Sequence, residues 1–171
     1  MQDTHTLIFT KEQMLQKIKR IAYQVAEDNY DEDEIILAGV GRNTEGYALA
    51  VKIYDELQKI IPGKIKLSHI ELDKNAPAHS PIKMSLSKED VEGKVIVIID
   101  DVANSGRTLL YALKPFLEFS PHKIQMAVLV ERTHKKFPIQ PDFVGLSLST
   151  TLQEHITVII SNTGKEGIYL S

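Results

Sequence analysis

The 171-residue sequence contains no cysteine and no tryptophan. Disulfides and thiolate metal centres are thereby excluded. The six histidines, His5, His69, His79, His122, His134 and His155, are scattered, and none pairs at the i, i+4 spacing of helical metal ligands. No apolar run approaches the roughly 20 residues of a membrane helix. The first residues, from Met1 to Thr6, lack the basic flank and apolar stretch of a secretory signal. The expectation is a cytoplasmic chain without membrane contact, which the absence of cysteine fits. Charge of one sign is scarce too: 20 Lys and Arg against 23 Asp and Glu leave a net charge of −3. That excludes a surface built throughout for nucleic acid and leaves only local basic clusters. There is no Gly-x-x-x-x-Gly-Lys-Ser/Thr phosphate loop, and Asn162-Thr163-Gly164-Lys165-Glu166 reads as a turn. A dinucleotide fingerprint is incomplete, since Gly39-Val40-Gly41 is followed by Thr44 where a third glycine belongs.

What is present is the composition of a globular protein, 43% hydrophobic and 25% charged, in a chain long enough for one domain over residues 1–171. Thr10 and Gln13 form a capping box before Met14, Ile18, Ala22 and Val25, predicting a helix over residues 11–28. The acidic run 31–34 is a solvated turn, and the all-apolar Ile35 to Val40 has the character of a strand buried on both faces. Residues 45–60 read as a second helix stopped by Pro62-Gly63, and residues 65–72 as a strand. Residues 73–93, with Pro77, Pro81 and several Ser and Lys, read as a long excursion of the kind that forms lids. Residues 95–99 form a strand ending in two aspartates, 108–117 a helix, and 124–130 a further apolar strand; 143–148, 156–161 and 167–170 are short and β-like. The alternation implies an α/β fold, a mostly parallel central sheet flanked by helices, with ligands at the carboxyl ends of its strands.

The segment from Val97 to Leu109 carries the chemistry. Asp100 and Asp101 close a buried strand, and Ser105-Gly106-Arg107-Thr108 opens the next helix. Backbone N–H groups and hydroxyls there can surround a phosphate, Gly106 allows close approach, and the helix dipole favours the negative charge. The paired carboxylates can accept from sugar hydroxyls or, through water, hold a hard cation. A phosphorylated sugar satisfies both halves.

This segment resembles the phosphoribosyl pyrophosphate motif of type I phosphoribosyltransferases. Over most of the chain the resemblance is closest to the pyrimidine operon attenuator/uracil phosphoribosyltransferase family. Arg20-Ile21-Ala22, Gly39-Val40, Thr44 to Ala50, and Glu131 to Ile139 with Asp142 to Gly145 are the further matching stretches. The resemblance implies a type I fold with a small hood and a flexible loop. It also implies transfer of phosphoribosyl from phosphoribosyl pyrophosphate to a nucleobase, with Mg²⁺ and release of pyrophosphate, in a homodimer. Asp100, Asp101 and Asn104 would be catalytic, the first two also meeting the metal through water or ribose. Ala103, Asn104, Ser105, Gly106, Arg107 and Thr108 would hold the 5′-phosphate, and Arg42, Asn43, Thr44 and Glu45 the pyrophosphate. Arg132 and Val144 would lie on the base side.

Where the family has Thr-Arg-Gly this chain has Thr44-Glu45-Gly46, with Arg42 displaced into a longer loop, and a glutamate facing pyrophosphate is repulsive. Uracil is the favoured base. Purine-specific relatives, similar over Val130 to Thr133 and Pro141 to Gly145, make a purine or its nucleoside monophosphate the second choice. The resemblance also implies an alternative: a ligand-sensing regulator that binds RNA through Lys59, Lys64 and Lys66 or through Arg132, His134, Lys135 and Lys136.

Overall fold

The computed structural model describes residues 5–151 and 153–171. Strand β1 (Thr6–Thr10) leads directly into α1 (Lys11–Asp28). The capping box forms as the sequence predicts: the Thr10 hydroxyl accepts from the Gln13 N–H while the Gln13 side chain accepts from the Thr10 N–H. One stripe of α1, Met14, Ile18, Ile21, Ala22, Val25 and Ala26, is buried. Next come β2 (Ile35–Val40), buried at every position, and α2 (Glu45–Ile60), whose buried stripe is Leu49, Ala50, Ile53 and Leu57.

After β3 (Ile65–Glu71), the excursion is shorter than its composition predicts. It holds β4 (Lys83–Met84), antiparallel to β3, and a single helical turn, α3 (Lys88–Val91), capped by Ser87. Leu86 and Val91 are buried, and their burial ties the second half of the segment to the body, leaving residues 73–82 as the loop proper.

The remaining elements are β5 (Val95–Ala103), α4 (Arg107–Ala112), a 3-10 turn over Lys114–Glu118, β6 (Lys123–Arg132), β7 (Phe143–Leu148), β8 (Ile156–Ile159) and β9 (Gly167–Leu170). Two expectations are corrected. β5 does not stop at Ile99 but runs on through both aspartates, because β6 is long enough to pair with it as far as Ala103 opposite Glu131. The following helix ends five residues early, since Pro115 has no N–H to continue it.

Six strands form the main sheet in the order β4-β3-β2-β5-β6-β7, all parallel except the edge strand β4. α1 and α2 cover one face, and α3, α4 and the 3-10 turn with its buried Phe116 cover the other. β1, β9 and β8 make a separate antiparallel sheet, a small hood whose Val158, Ile160 and Ile168 join the core on the α1/α2 side. β1 carries too little alternation to be foreseen; it exists as a strand because β9 pairs with it.

From β2 the chain proceeds outward to β3, and from β5 to β6 on the other side. The order of the strands therefore reverses between β2 and β5, which in an open α/β sheet marks the ligand crevice. β2 pairs with β5 only as far as Gly39 opposite Ile99. Beyond that point β5 continues alone on this side, and Asp100 and Asp101 sit on the unpaired stretch.

Candidate active site

Asp100 is almost wholly buried, with 2% of its side chain exposed, while Asp101 is 20% exposed beside it. The first turn of α2 explains the burial. A Cβ on Gly46 would lie 2.6 Å from Asp100 Oδ1 and 2.9 Å from the Val40 carbonyl, so only glycine lets α2 begin this close to the carboxyl. Asp100 Oδ1 accepts from the Asp101 N–H at 3.0 Å and from Lys74 Nζ at 2.8 Å; Lys74 Nζ is also 3.5 Å from Asp101 Oδ1. Burial pushes the Asp100 carboxyl up to about 8; the Asp101 carboxylate adds to the shift and Lys74 opposes it. Burial disfavours the Lys74 ammonium, but the two carboxylates outweigh it and raise its pKa. The pair therefore keeps a charged lysine at neutral pH, and burial makes Asp100 the more reluctant of the two to ionise.

Lys74, Asp100 and Asp101 line one cavity of about 270 Å³ with Ala103, Asn104, Ser105, Gly106, Arg107 and Thr108, and Ile156 of the hood closes one side. The loop's shape depends on Gly106, whose φ of +83° a side chain would strain and whose absent Cβ leaves room for Ile139 at 3.2 Å. Ser105 Oγ accepts from the Arg107 N–H, and the Ser105 carbonyl accepts from both Lys136 and Phe137 N–H at 3.0 Å. These bonds anchor residues 136–139 to the loop. Because α4 is only six residues long, it has no long helix dipole to offer an anion in this cavity, and any phosphate there would rely on the loop's own N–H groups. An adjoining cavity of about 480 Å³ is lined by Asn104, Ser105, Arg132, Thr133, His134, Lys136 and Thr150.

The predicted residues divide into four groups. Asp100, Asp101 and residues 103–108 converge on the first cavity. Arg42 and Asn43 are exposed in the loop after β2, beside the same crevice, while Thr44 is occupied as the cap of α2, donating to the Val40 carbonyl and accepting from the Tyr47 N–H. Glu45 and Val144 require correction. The Glu45 carboxylate turns to the hood, accepting from the Ile160 N–H at 2.8 Å, the Ser161 N–H at 3.1 Å and Ser161 Oγ at 2.6 Å, so it does not face the crevice as a repulsive charge. Val144 lines neither cavity; its side chain packs against the core on the α3/α4 side. Arg132 does reach the second cavity, with its Nε donating to Thr150 Oγ1 at 2.6 Å and its other end to the Thr151 carbonyl.

Sequence reasoning missed Lys74, Thr150 and Ile156 as site residues. For Lys74 a signal existed: it stands three residues past the end of β3, on the carboxyl edge of a parallel sheet. Thr150 offered the same signal, two residues past β7 at the same edge; Ile156 reaches the site only through the hood's placement, which no local pattern encodes.

Two hard oxygen donors side by side suit Mg²⁺, but Mg²⁺ takes six ligands. Among the described residues no group of three His, Asp or Glu could hold a metal alone. The carboxylate pair therefore fits an ion whose other ligands are water and substrate oxygens.

A switch-point crevice that joins paired carboxylates to a phosphate-binding loop defines a phosphoribosyltransferase-type protein. The chain belongs to that family: the family model described as phosphoribosyl transferase domain matches residues 6–160. Among curated proteins it is similar to the bifunctional protein PyrR of Clostridium acetobutylicum, 33% identical over 160 residues, covering 90% of this chain and 89% of that one. The protein of the same name from Staphylococcus haemolyticus is 34% identical over 154 residues, covering 84% and 85%. Among solved structures, a hypoxanthine-guanine phosphoribosyltransferase from Bacillus anthracis matches with a TM-score of 0.73 over 96% of each chain. At 17% identity it shows the shared fold alone.

Proposed function

We propose that this protein is a Mg²⁺-dependent nucleobase phosphoribosyltransferase, uracil being the favoured base and a purine the second. The observation that carries the reading is the single cavity in which Asp100 and Asp101 face the loop of residues 103–108. A base nitrogen forms a bond to the ribose anomeric carbon as the bond to pyrophosphate breaks, and the nitrogen's proton passes to solvent. Such a transition state, with positive charge on the sugar, is helped mostly by positioning and by fixed charges.

In this reading the N–H groups of residues 103–108 and the hydroxyls of Ser105 and Thr108 hold the 5′-phosphate. Asp100 and Asp101 accept from the ribose hydroxyls, and Asn104, which borders both cavities, lies nearest the base. Arg42 and Asn43, with the first N–H groups of α2, receive pyrophosphate, while Glu45 holds the hood in place. Mg²⁺, held by Asp100 and Asp101 through water or ribose oxygens, would neutralise charge on the departing pyrophosphate. Residues 73–82 would cover the site against water, and the working unit would be a homodimer. A pyrophosphate-release screen of uracil, hypoxanthine, guanine, xanthine and adenine tests the assignment: release with one pyrimidine or purine supports it, and silence with all five overturns it.

The resemblance to the pyrimidine operon attenuator family implies a second reading, as an RNA-binding regulator. Five of the cations named for it are already engaged: Lys59 by Glu56, Lys66 by Asp90, Lys64 by the Tyr30 carbonyl, Lys135 by Glu131 and Arg132 by Thr150 and Thr151. RNA binding that weakens steeply with salt would support this reading; its absence at low salt would remove it.

A further inference from the structure

The carboxylate pair at the centre of the crevice already has a cation. We propose that Lys74 is a placeholder that must leave when the divalent ion arrives, so that ion and phosphorylated sugar enter together and the ion alone is refused. The inference rests on the reading of the site as one for Mg²⁺ and phosphoribosyl pyrophosphate, and it adds an order of binding to it.

The geometry sets the conditions for exchange. Lys74 Nζ touches Asp100 at 2.8 Å and stands 3.5 Å from Asp101, so it fills the space beside the pair in which a cation would be held. Asp100 has no room to swing toward α2, since its Oδ1 lies 2.6 Å from where a Cβ on Gly46 would stand. The lysine can move. It sits on the loop of residues 73–82, its side chain is 38% exposed, and its charge is carried at the end of a flexible four-carbon stem. It is held by the carboxylates without being enclosed by the core.

Exchange for a bare ion is a poor bargain at this site. The ion gains at most two protein carboxylates, and the released ammonium has no new partner. A polyphosphorylated sugar changes both halves of the exchange. Its oxygens complete the ion's coordination, and its negative charge gives the displaced ammonium a partner in the cavity that Lys74 shares with Ser105 and Thr108.

The test is calorimetric titration of Mn²⁺, without sugar, into wild type, Lys74→Gln, Lys74→Ala and Lys74→Arg, with thermal melts at each ion concentration. The expected result is weak Mn²⁺ binding by wild type and Lys74→Arg, and binding tighter by about tenfold or more in Lys74→Gln and Lys74→Ala, because loss of the lysine leaves the Asp100/Asp101 pair without its cation. Mn²⁺ should raise the melting temperature of Lys74→Gln and not that of wild type; Gln keeps a donor, so this arm stands even if Lys74→Ala does not fold. Equal Mn²⁺ affinity in wild type and Lys74→Gln would overturn the exchange. Sugar binding by wild type, measured in parallel, separates the two ideas. A Mn²⁺ gain in Lys74→Gln without sugar binding by wild type keeps the placeholder and sinks the substrate reading, and the converse sinks only the placeholder.

Discussion

Two loops leave neighbouring strands at the same crevice and use their side chains in opposite ways. In the loop after β2, Thr44 closes the first turn of α2 and Glu45 is bound to the hood, so only Arg42 and Asn43 are left exposed. In the loop after β5, the hydroxyl of Ser105 makes one local bond, residues 136–139 brace the backbone from behind, and Asn104 and Thr108 face the cavity. The first loop is committed to holding helix, sheet and hood together, and the second is held by others and left open. Ligand affinity should therefore depend on the second loop's shape, and the first should matter mainly through the contacts that place α2 against Asp100.

Four substitutions and one titration would break or sharpen that contrast. The largest effect is expected from Gly46→Ala, where the new methyl overlaps both Asp100 and the Val40 carbonyl. Overpacking of this kind costs about 1–3 kcal/mol, and displacement of Asp100 should weaken sugar binding further, as paired melts and titrations would register. Gly106→Ala forces an alanine into the left-handed region at about 1–2 kcal/mol, and phosphate-loop binding should fall with it; an unchanged Kd would mean that the loop's shape is not what holds the ligand. Glu45→Gln loses the charge on bonds to Ile160 and Ser161, a loss of about 1 kcal/mol, with a lower Tm and little change in sugar affinity. Its counterpart Arg42→Ala should reverse that pattern, leaving stability within about 0.5 kcal/mol of wild type while weakening pyrophosphate binding.

The titration concerns Asp100. Its carboxyl is held up at about 8, well above the ~3.9 of an unfolded aspartate, so the folded state binds the extra proton. That contribution to stability is complete below the unfolded value and is lost as pH rises through about 8. Wild type should lose melting temperature progressively from about pH 4 to about pH 8 relative to Asp100→Asn, which stays neutral throughout, and the two curves should run parallel above that. Curves parallel over the whole range would contradict the assignment of the buried carboxyl.

Much of this arrangement was legible in the sequence because its cues are local. The stripes of α1 and α2, the capping box at Thr10, the wholly apolar β2 and the carboxylate-to-phosphate-loop segment each declare themselves within a few residues. What the sequence concealed depends on partners far along the chain. β5 is longer than its apolar core because β6 pairs with the aspartates' stretch. Glu45 looks like a misplaced charge until Ile160 and Ser161, 115 and 116 residues later, are found to donate to it. Lys74 reads as one loop lysine among several until the fold brings β3 and β5 to the same edge. Pro115 is a different case, a local cue that should have ended the fourth helix where the structure ends it.

The central claim is that Asp100 and Asp101, together with the loop of residues 103–108, hold a phosphorylated sugar. The most direct measurement is calorimetric titration of phosphoribosyl pyrophosphate with Mg²⁺ into wild type and into the Asp100→Asn/Asp101→Asn variant, with melts to show that both are folded. The account predicts saturable binding by wild type that falls by more than about a hundredfold in the variant, since each lost charged hydrogen bond is worth about 1.5–3 kcal/mol. No binding by wild type, or equal binding by the two, would contradict it.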